Sequence, residues 1–503
     1  MGYELIAAVD LGSNSFRLQV GRVVDDQIYP LDGLKESVRL AAGLTSQKLL
    51  DAASQLRALE ALRKFAERLR GFAPGAVRAV ATNTLRVAKN APQFLVQAEA
   101  ALGFPIEVIA GREEARLIYV GVAHTLPDPK LQQLVVDIGG GSTEFIIGRS
   151  FEPLELESLY MGCVGFTSRF FPDGRIDKRG MKEAELAART ELHAIVHSFR
   201  ETGWEAAVGS SGTAKALVDL LELNGFATGD ITREGLETLR GHMLRAGSTH
   251  KLQLAGLRAD RIPVLPGGFA IMSAVFKELG IERMTFSEGA LRLGVLYDLL
   301  GRYHHHDLRD SSVVEFVRRY QVESGQAQRV AETARALFLQ LDPQVDAGED
   351  ADARMLDWAA HLHEVGISVA HSSYHKHSAY ILANADMPGF SRMDQGRLAR
   401  VVLAHRGKLE RVQALAPDSQ DWKLIFCLRL AVLLNRARDD SPVPPLSVQA
   451  DGGGFVVEVP EEWLEASPLT AAALQEEERQ WAGVGKSLRV RAPREGSARR
   501  GAL

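Results

Sequence analysis

The chain has 503 residues, 46% of them hydrophobic and 24% charged, and a formal net charge of −5. This size and composition predict a soluble globular protein of three or four domains, and the acidic balance excludes one that draws polyanions by its overall field, so any anion must be attracted locally. Only two cysteines, Cys163 and Cys427, exclude a disulfide framework or a cysteine-based zinc site and suit a reducing compartment; with no apolar run read as a membrane span and no leader read at the N-terminus, the expected location is the cytoplasm, peripheral contact with the inner membrane being left open.

In chain order, the pattern predicts strands at 5–9 and 16–24 around a turn, and a helix on Leu49, Leu56, Leu59, Leu62, Phe65 and Leu69 that Gly71 stops. A strand at 77–81, a helix at 93–102, a strand at 106–110 and a helix at 112–123 follow. Strands first, then alternating α and β, is the order of a ribonuclease-H-like half. The plan repeats from Leu134, with a second hairpin, a helix at 181–200, a strand at 206–208, a mostly helical insertion at about 230–262, a helix after Pro266-Gly-Gly268 and a strand at 284–286. His304-His-His306 marks the change to a helical region, and nine of the fourteen histidines lie between 304 and 405. Strands such as 455–459 and an Arg-rich, disordered tail after Val490 close the chain. The expected domains are 1–124, 125–303, 304–445 and 446–503.

Both hairpins enclose an Asp-x-Gly turn, one starting at Asp10 and the other 127 positions later at Asp137. Glycines (Gly12; Gly139, Gly140 and Gly141) let a backbone take positive φ and approach a ligand, successive N–H groups make an anion-binding concavity, and Ser13, Ser15, Ser142 and Thr143 add hydroxyl donors. An Asp at the strand end can hold a magnesium ion or its water. The duplication predicts two halves facing each other across a phosphate.

Five polar stretches, 10–17, 83–86, 111–116, 137–144 and 209–215, fall at strand ends or helix starts, where α/β sheets collect ligands. Glu113 reads as an ordinary acidic residue in a first helical turn, and spacing alone leaves Glu114 open between that role and chemistry. Glu144 ends the second turn, where a carboxylate beside phosphate needs a metal, a water or a basic partner. Arg17, Arg86 and Lys215 supply the local positive charge. Lys251, Arg258 and Arg261 form a second basic cluster that could track a longer anion or be a solvated face. Gly483-Val-Gly-Lys-Ser487 is not a phosphate loop: position 480 is Gln, and no strand–turn–helix surrounds it. Leu362-His-Glu-Val-Gly366, with His371, His375, His377 and His405 after it, lacks the His-Asp pair of metal-dependent HD phosphohydrolases, so neutral core or surface histidines are expected.

Taken together, Asp10-Leu-Gly-Ser-Asn-Ser15, Ala81-Thr-Asn-Thr-Leu-Arg86, Glu113-Glu-Ala-Arg116, Asp137-Ile-Gly-Gly-Gly-Ser-Thr-Glu144, Gly209-Ser-Ser-Gly-Thr213 and Ser287-Glu-Gly-Ala-Leu-Arg292 resemble the exopolyphosphatase / guanosine pentaphosphate phosphohydrolase family of the actin, chaperone and sugar kinase superfamily. The resemblance covers nearly the whole chain except the tail. It implies an α/β fold of two ribonuclease-H-like (actin-like) domains with a cleft between them, an all-α HD-like third domain, a small fourth domain and a homodimer. It also implies Mg²⁺-dependent removal of the terminal phosphate of inorganic polyphosphate, with K⁺ as an optional activator, no nucleic-acid partner and no integral membrane segment. The family's general base maps onto Glu114. Asp137 and Glu144 map near the metal and the attacking water, and Asp10, at the end of the first strand, is expected to join them as a metal ligand. The family's phosphate contacts map onto the glycine turns and the Asn83–Arg86 segment, so phosphate is expected at Gly12, Ser13, Asn14, Ser15, Asn83, Thr84, Arg86, Gly139, Gly140, Gly141, Ser142, Thr143, Gly212 and Thr213; the local charge adds Arg17 and Lys215, with Lys251, Arg258 and Arg261 expected along a longer chain's path. Guanosine pentaphosphate is the alternative substrate. An ATP-dependent sugar kinase or chaperone-like ATPase ranks below it, and a non-enzymatic actin-like scaffold last.

Overall fold

The computed structural model describes residues 4–24, 27–126, 130–303, 308–346, 350–440 and 443–492. They fall into two compact units, Met1–Asp307 and Leu308–Leu503. The triple histidine expected as a boundary, and the basic tail from residue 493 on, lie outside the described residues.

The first half of unit one runs β1 (Leu5–Leu11), β2 (Phe16–Val24), β3 (Gln27–Glu36), α1 (Ala52–Arg68), β4 (Val77–Ala81), α2 (Asn83–Val87), α3 (Ala91–Leu102), β5 (Ile106–Val108) and α4 (Gly111–Ala123). Its sheet order is β3-β2-β1-β4-β5. The second half runs β6 (Gln133–Ile138), β7 (Thr143–Arg149), β8 (Glu152–Leu159), α5 (Cys163–Phe170), α6 (Lys178–Leu192), α7 (Val196–Thr202), β9 (Ala206–Ser210), α8 (Ser211–Leu223), β10 (Ile231–Thr232), α9 (Arg233–Ala246), α10 (Leu265–Leu279), β11 (Arg283–Phe286) and α11 (Leu291–Tyr303). Its order is β10-β11-β9-β6-β7-β8. In each half an antiparallel hairpin joins a parallel pair, β1 with β4 and β6 with β9. β1 and β6 are almost wholly buried, which suits central strands covered on both faces.

Several expectations are corrected. Leu49 precedes α1, whose start is fixed by Asp51 accepting a 2.7 Å hydrogen bond from the Ser54 amide. The single helix expected at 181–200 is two, α6 and α7, and no Gly or Pro in the sequence marks the break. The insertion is helical only in α9, because Gly247 (φ +71°) ends that helix and the following segment makes short 3-10 turns. Pro266, Gly267 and Gly268 lie inside the first turn of α10, where proline's missing N–H costs nothing. Residues Ile262–Leu279 are long and apolar enough to cross a membrane, at a mean hydropathy of 1.3, contrary to the sequence reading. However, 78% of that window is buried, as expected for a core helix of the second half.

The two halves are joined where α4 crosses α11. A Cβ on Gly294 would lie 1.7 Å from the Leu117 carbonyl oxygen, and one on Gly121 would lie 2.3 Å from that of Ala290, so only glycine permits this approach. Beside the crossing sits a buried charge network. Asp298 on α11 bonds Arg116 on α4 at 2.5 Å and Arg78 on β4 at 2.6 Å. Arg116 in turn grips both oxygens of Glu113 at 2.8 Å.

Unit two contains α12 (Leu308–Arg319), α13 (Ser324–Leu341), α14 (Ala351–Leu362), α15 (Tyr374–Asn384), α16 (Arg392–Ala404), α17 (Asp421–Leu434), β12 (Ser447–Asp451), β13 (Gly454–Glu458), α18 (Glu461–Ala466), α19 (Pro468–Gly483) and β14 (Leu488–Arg491). The helices and the small sheet share one core, with Phe426 stacked on Phe455 at 4.1 Å and Trp422 against Trp481. Gly485 (φ +76°) turns α19 into β14, and Lys486 donates to the Pro417 carbonyl, an ordinary structural turn.

His363, His375 and His405 are buried in unit two, with His405 close to both other rings. Burial pushes all three below the ordinary imidazole value of 6.5, His375 to about 4 and His405 well below, with neighbouring arginines adding to the effect at His375. Each of these imidazoles binds a proton more readily unfolded than folded. The stability they contribute is therefore present above pH 6.5 and lost progressively as pH falls below it. Thermal unfolding at stepped pH is expected to show unit two melting earlier below pH 6.5, with a shallower slope in His405→Gln. A melting temperature that is flat from pH 7.5 to 5 would contradict this.

Candidate active site

The two hairpins place their key residues at the same register. Asp10 pairs with Arg17 across the first, and Asp137 pairs with Glu144 across the second. One hairpin thus presents an acid and a base, and the other presents two acids. The turns also touch. A Cβ on Gly140 would lie 3.0 Å from Ser13 Cβ, and one on Gly141 would lie 2.6 Å from Asn83 Oδ1. None of Gly12, Gly139, Gly140 or Gly141 has positive φ; Gly140 and Gly141 are required by close approach between the halves, whereas a Cβ on Gly12 or Gly139 would crowd the Ser15 or Ser142 carbonyl oxygen of its own turn, at 2.9 and 3.1 Å.

Between the turns lies a cleft of about 370 Å³. Its walls bring together Asp10, Gly12, Ser13, Asn14, Ser15, Arg17, Glu114, Asp137, Gly139, Gly140, Gly141, Ser142, Glu144, Gly212, Lys215, Arg258 and Arg261. Asn83, Thr84 and Arg86 stand behind this surface. Thr84 donates to Ser13 Oγ at 2.8 Å, and Arg86 Nη1 donates to Glu114 Oε2 at 3.1 Å and to the Ile109 carbonyl at 2.9 Å. The Thr143 and Thr213 hydroxyls are committed to the Met161 and Ile138 carbonyls, and Lys251 is exposed outside the lining. Sequence reasoning missed Lys35, Ser211 and Arg292, which also line the cleft. Arg292 could have been found, because it ends the Ser287–Arg292 motif. Lys35 stands on β3, a strand the sequence did not reveal, and pairs with Asp260 of the other half at 2.8 Å. A Cβ on Gly212 would meet the Arg261 guanidinium at 2.1 Å, so glycine makes room for that cation.

The carboxylates are unusually hard to ionise. Burial raises Asp10 to about 6, against the pull of Arg292 and Arg17, and raises Glu114 to about 7, against Arg86. Asp137 is also raised by burial, although Ser211 (2.5 Å) and Ser210 (3.1 Å) donate to it. Glu144 is pushed well above the ordinary carboxylate value, by burial and by the charges of Glu114 and Asp137, with Ser158 donating to it at 2.8 Å. Ser211 holds its position at φ +64°, a conformation costly for a residue with a side chain. Asp10 Oδ1, in the cleft lining, is buried with no hydrogen-bond partner, leaving an acceptor for whatever enters, and Asn83 Nδ2 behind the surface is likewise unpartnered. Among the described residues no three Asp, Glu, His or Cys side chains converge closely enough to hold a metal ion alone.

The chain matches the Ppx/GppA phosphatase family over residues 19–303 and domain III of Ppx/GppA phosphatase over 308–478. Among solved structures it is similar to an exopolyphosphatase from Cytophaga hutchinsonii, at 26% identity and a TM-score of 0.54, over 59% of this chain and 97% of that one. It is also similar to a Ppx/GppA family member from Aquifex aeolicus, at 24% identity and a TM-score of 0.50, over 60% of this chain and 99% of that one. With a match across more than half its length, and motifs that converge on one cleft, the chain belongs to the Ppx/GppA phosphatase family.

Proposed function

We propose that this chain is an exopolyphosphatase that hydrolyses the terminal phosphoanhydride of inorganic polyphosphate and releases orthophosphate. The observation that carries this reading is a carboxylate near pKa 7, Glu114, in a cleft that also holds Arg17, Lys35, Arg258, Arg261 and Arg292. A base with that pKa is divided between its two forms at neutral pH, where general-base catalysis works best.

A water attacks the terminal phosphorus in line. Its oxygen forms the new P–O bond, its proton passes to Glu114, and the shortened chain leaves with the bridging oxygen. Arg86 orients the base. Arg17, Arg292 and the turn amides take up the charge that spreads over the phosphoryl oxygens. Mg²⁺ fits the donor set: Asp10, with its unpartnered oxygen, Asp137 and Glu144 are crowded acids that a cation would relieve. As no three of them converge, one or two would hold the ion together with substrate phosphate oxygens, which is magnesium's usual mode. Bound there, the ion would supply charge neutralisation.

Guanosine pentaphosphate is the second reading. The cleft lining also includes Phe286 and Asp219, an aromatic side chain and a carboxylate of the kinds that stack on a base and accept from guanine's donor edge. Comparing kcat/KM on long-chain polyphosphate and on the nucleotide separates the two. The exopolyphosphatase reading expects the higher value on polyphosphate, and the reverse order assigns the nucleotide.

A further inference from the structure

Asp298 lies outside the cleft, in the network beside the α4–α11 crossing. Its carboxylate is 7% exposed and is shared by two guanidiniums, Arg116 Nη2 on Oδ1 at 2.5 Å and Arg78 Nη1 on Oδ2 at 2.6 Å. These contacts reach three elements that each carry part of the site. Arg116 belongs to α4, and the Glu113 that it grips is the neighbour of Glu114. Arg78 belongs to β4, which pairs with β1 so that Val80 lies beside Asp10. Asp298 itself stands on α11, whose second residue is Arg292.

Removing such ions from water is expensive, and apolar side chains of similar volume often stabilise a core as well or better. What the network supplies that packing does not is fixed direction, through forked contacts with little freedom. The glycine crossing sets the distance between α4 and α11, and their shared apolar core packs them together, while the forked charge contacts add directional restraint at one point of the seam.

We propose that Asp298 is a positioning residue for the reaction: it locks α4 against β4 and α11, so that Glu114 is held in register with Asp10 and Arg292. The inference rests on the exopolyphosphatase reading for its kinetic consequence but not for its structural one.

Asp298→Asn keeps the side chain's size and removes the shared charge. Its kcat on long-chain polyphosphate is expected to fall ten- to a hundredfold, with KM within threefold of wild type. In a Glu114→Gln background the same change is expected to cost less than a further twofold, because a base that is absent cannot be misplaced. Glu107→Gln, which removes a partner on Arg78's other side, is expected to keep kcat within twofold. If Asp298→Asn does not fold, Arg116→Lys, which keeps the charge but loses the fork, takes its place in the same cycle. Wild-type kcat in a folded Asp298→Asn, a loss that multiplies in the double variant, or a KM that rises in step with the loss would each overturn the proposal. A crystal structure of the variant tests the inference without activity: the Glu114 carboxylate is expected to be displaced or split, and an unmoved Glu114 overturns it. If the wild type releases no phosphate, the functional reading fails and the structural arm still decides this one.

Discussion

Glu114→Gln is expected to lower kcat for phosphate release from polyphosphate by about a hundredfold or more, within the range that a positioned general base contributes. The loose transition state of phosphoryl transfer keeps the effect from being total, since positioning and charge stabilisation by the remaining residues survive. Binding should not suffer. Glutamine can still accept from Arg86, and losing a buried negative charge removes repulsion toward Glu144 and toward an incoming polyanion. The dissociation constant for polyphosphate is therefore expected to stay within threefold or to tighten. Stability should hold, because the carboxylate's ionisation is already opposed by burial. The pH profile gives an independent check. A base with a pKa of about 7 is active when deprotonated, so wild-type kcat should fall as pH drops through 7, and the variant should lose that limb. Near-normal turnover in a folded Glu114→Gln would remove Glu114 from the mechanism.

Gly294→Ala is expected to cost about 3 kcal/mol, at the upper end for overpacking. The clash is with backbone: the added methyl would lie 1.7 Å from the Leu117 carbonyl oxygen, and no side chain can rotate away to accommodate it. α4 and α11 would have to separate, disturbing both the Asp298 contacts and the helix that carries Glu114, so turnover should fall with stability. Gly241→Ala in α9 is the matched control. Nothing lies within 4 Å of its would-be Cβ, and alanine's better helix propensity should add about 0.5–1 kcal/mol. Denaturant unfolding of both variants checks the pair, and equal stabilities would refute the close-packed crossing.

The strands that carry the turns were legible because β1 and β6 are apolar on both faces, as covered central strands must be, and β2 alternates Phe16, Leu18 and Val20 with Arg17 and Gln19. The edge strands β3 and β8 were not, since β3 is mostly exposed and β8 only half-buried, and Pro30, Gly33 and Pro153 break the alternation. The turn motifs located the cleft, but their glycines do not take the positive φ expected of them, and Gly140 and Gly141 permit contact between the halves, which no local pattern reveals. Thr143 and Thr213 sit within the motifs expected to bind phosphate yet serve carbonyls of their own half, because a motif shows where a hydroxyl is and not where it points. Asp298 was invisible for a simpler reason. Its partners lie 182 and 220 residues away, and only folding brings them together.

The most direct test is orthophosphate release from long-chain polyphosphate by the purified chain with Mg²⁺, wild type beside Glu114→Gln at equal bound substrate. This account expects steady release by the wild type and release at least a hundredfold slower by the variant. No release by the wild type, or equal release by both, would contradict it.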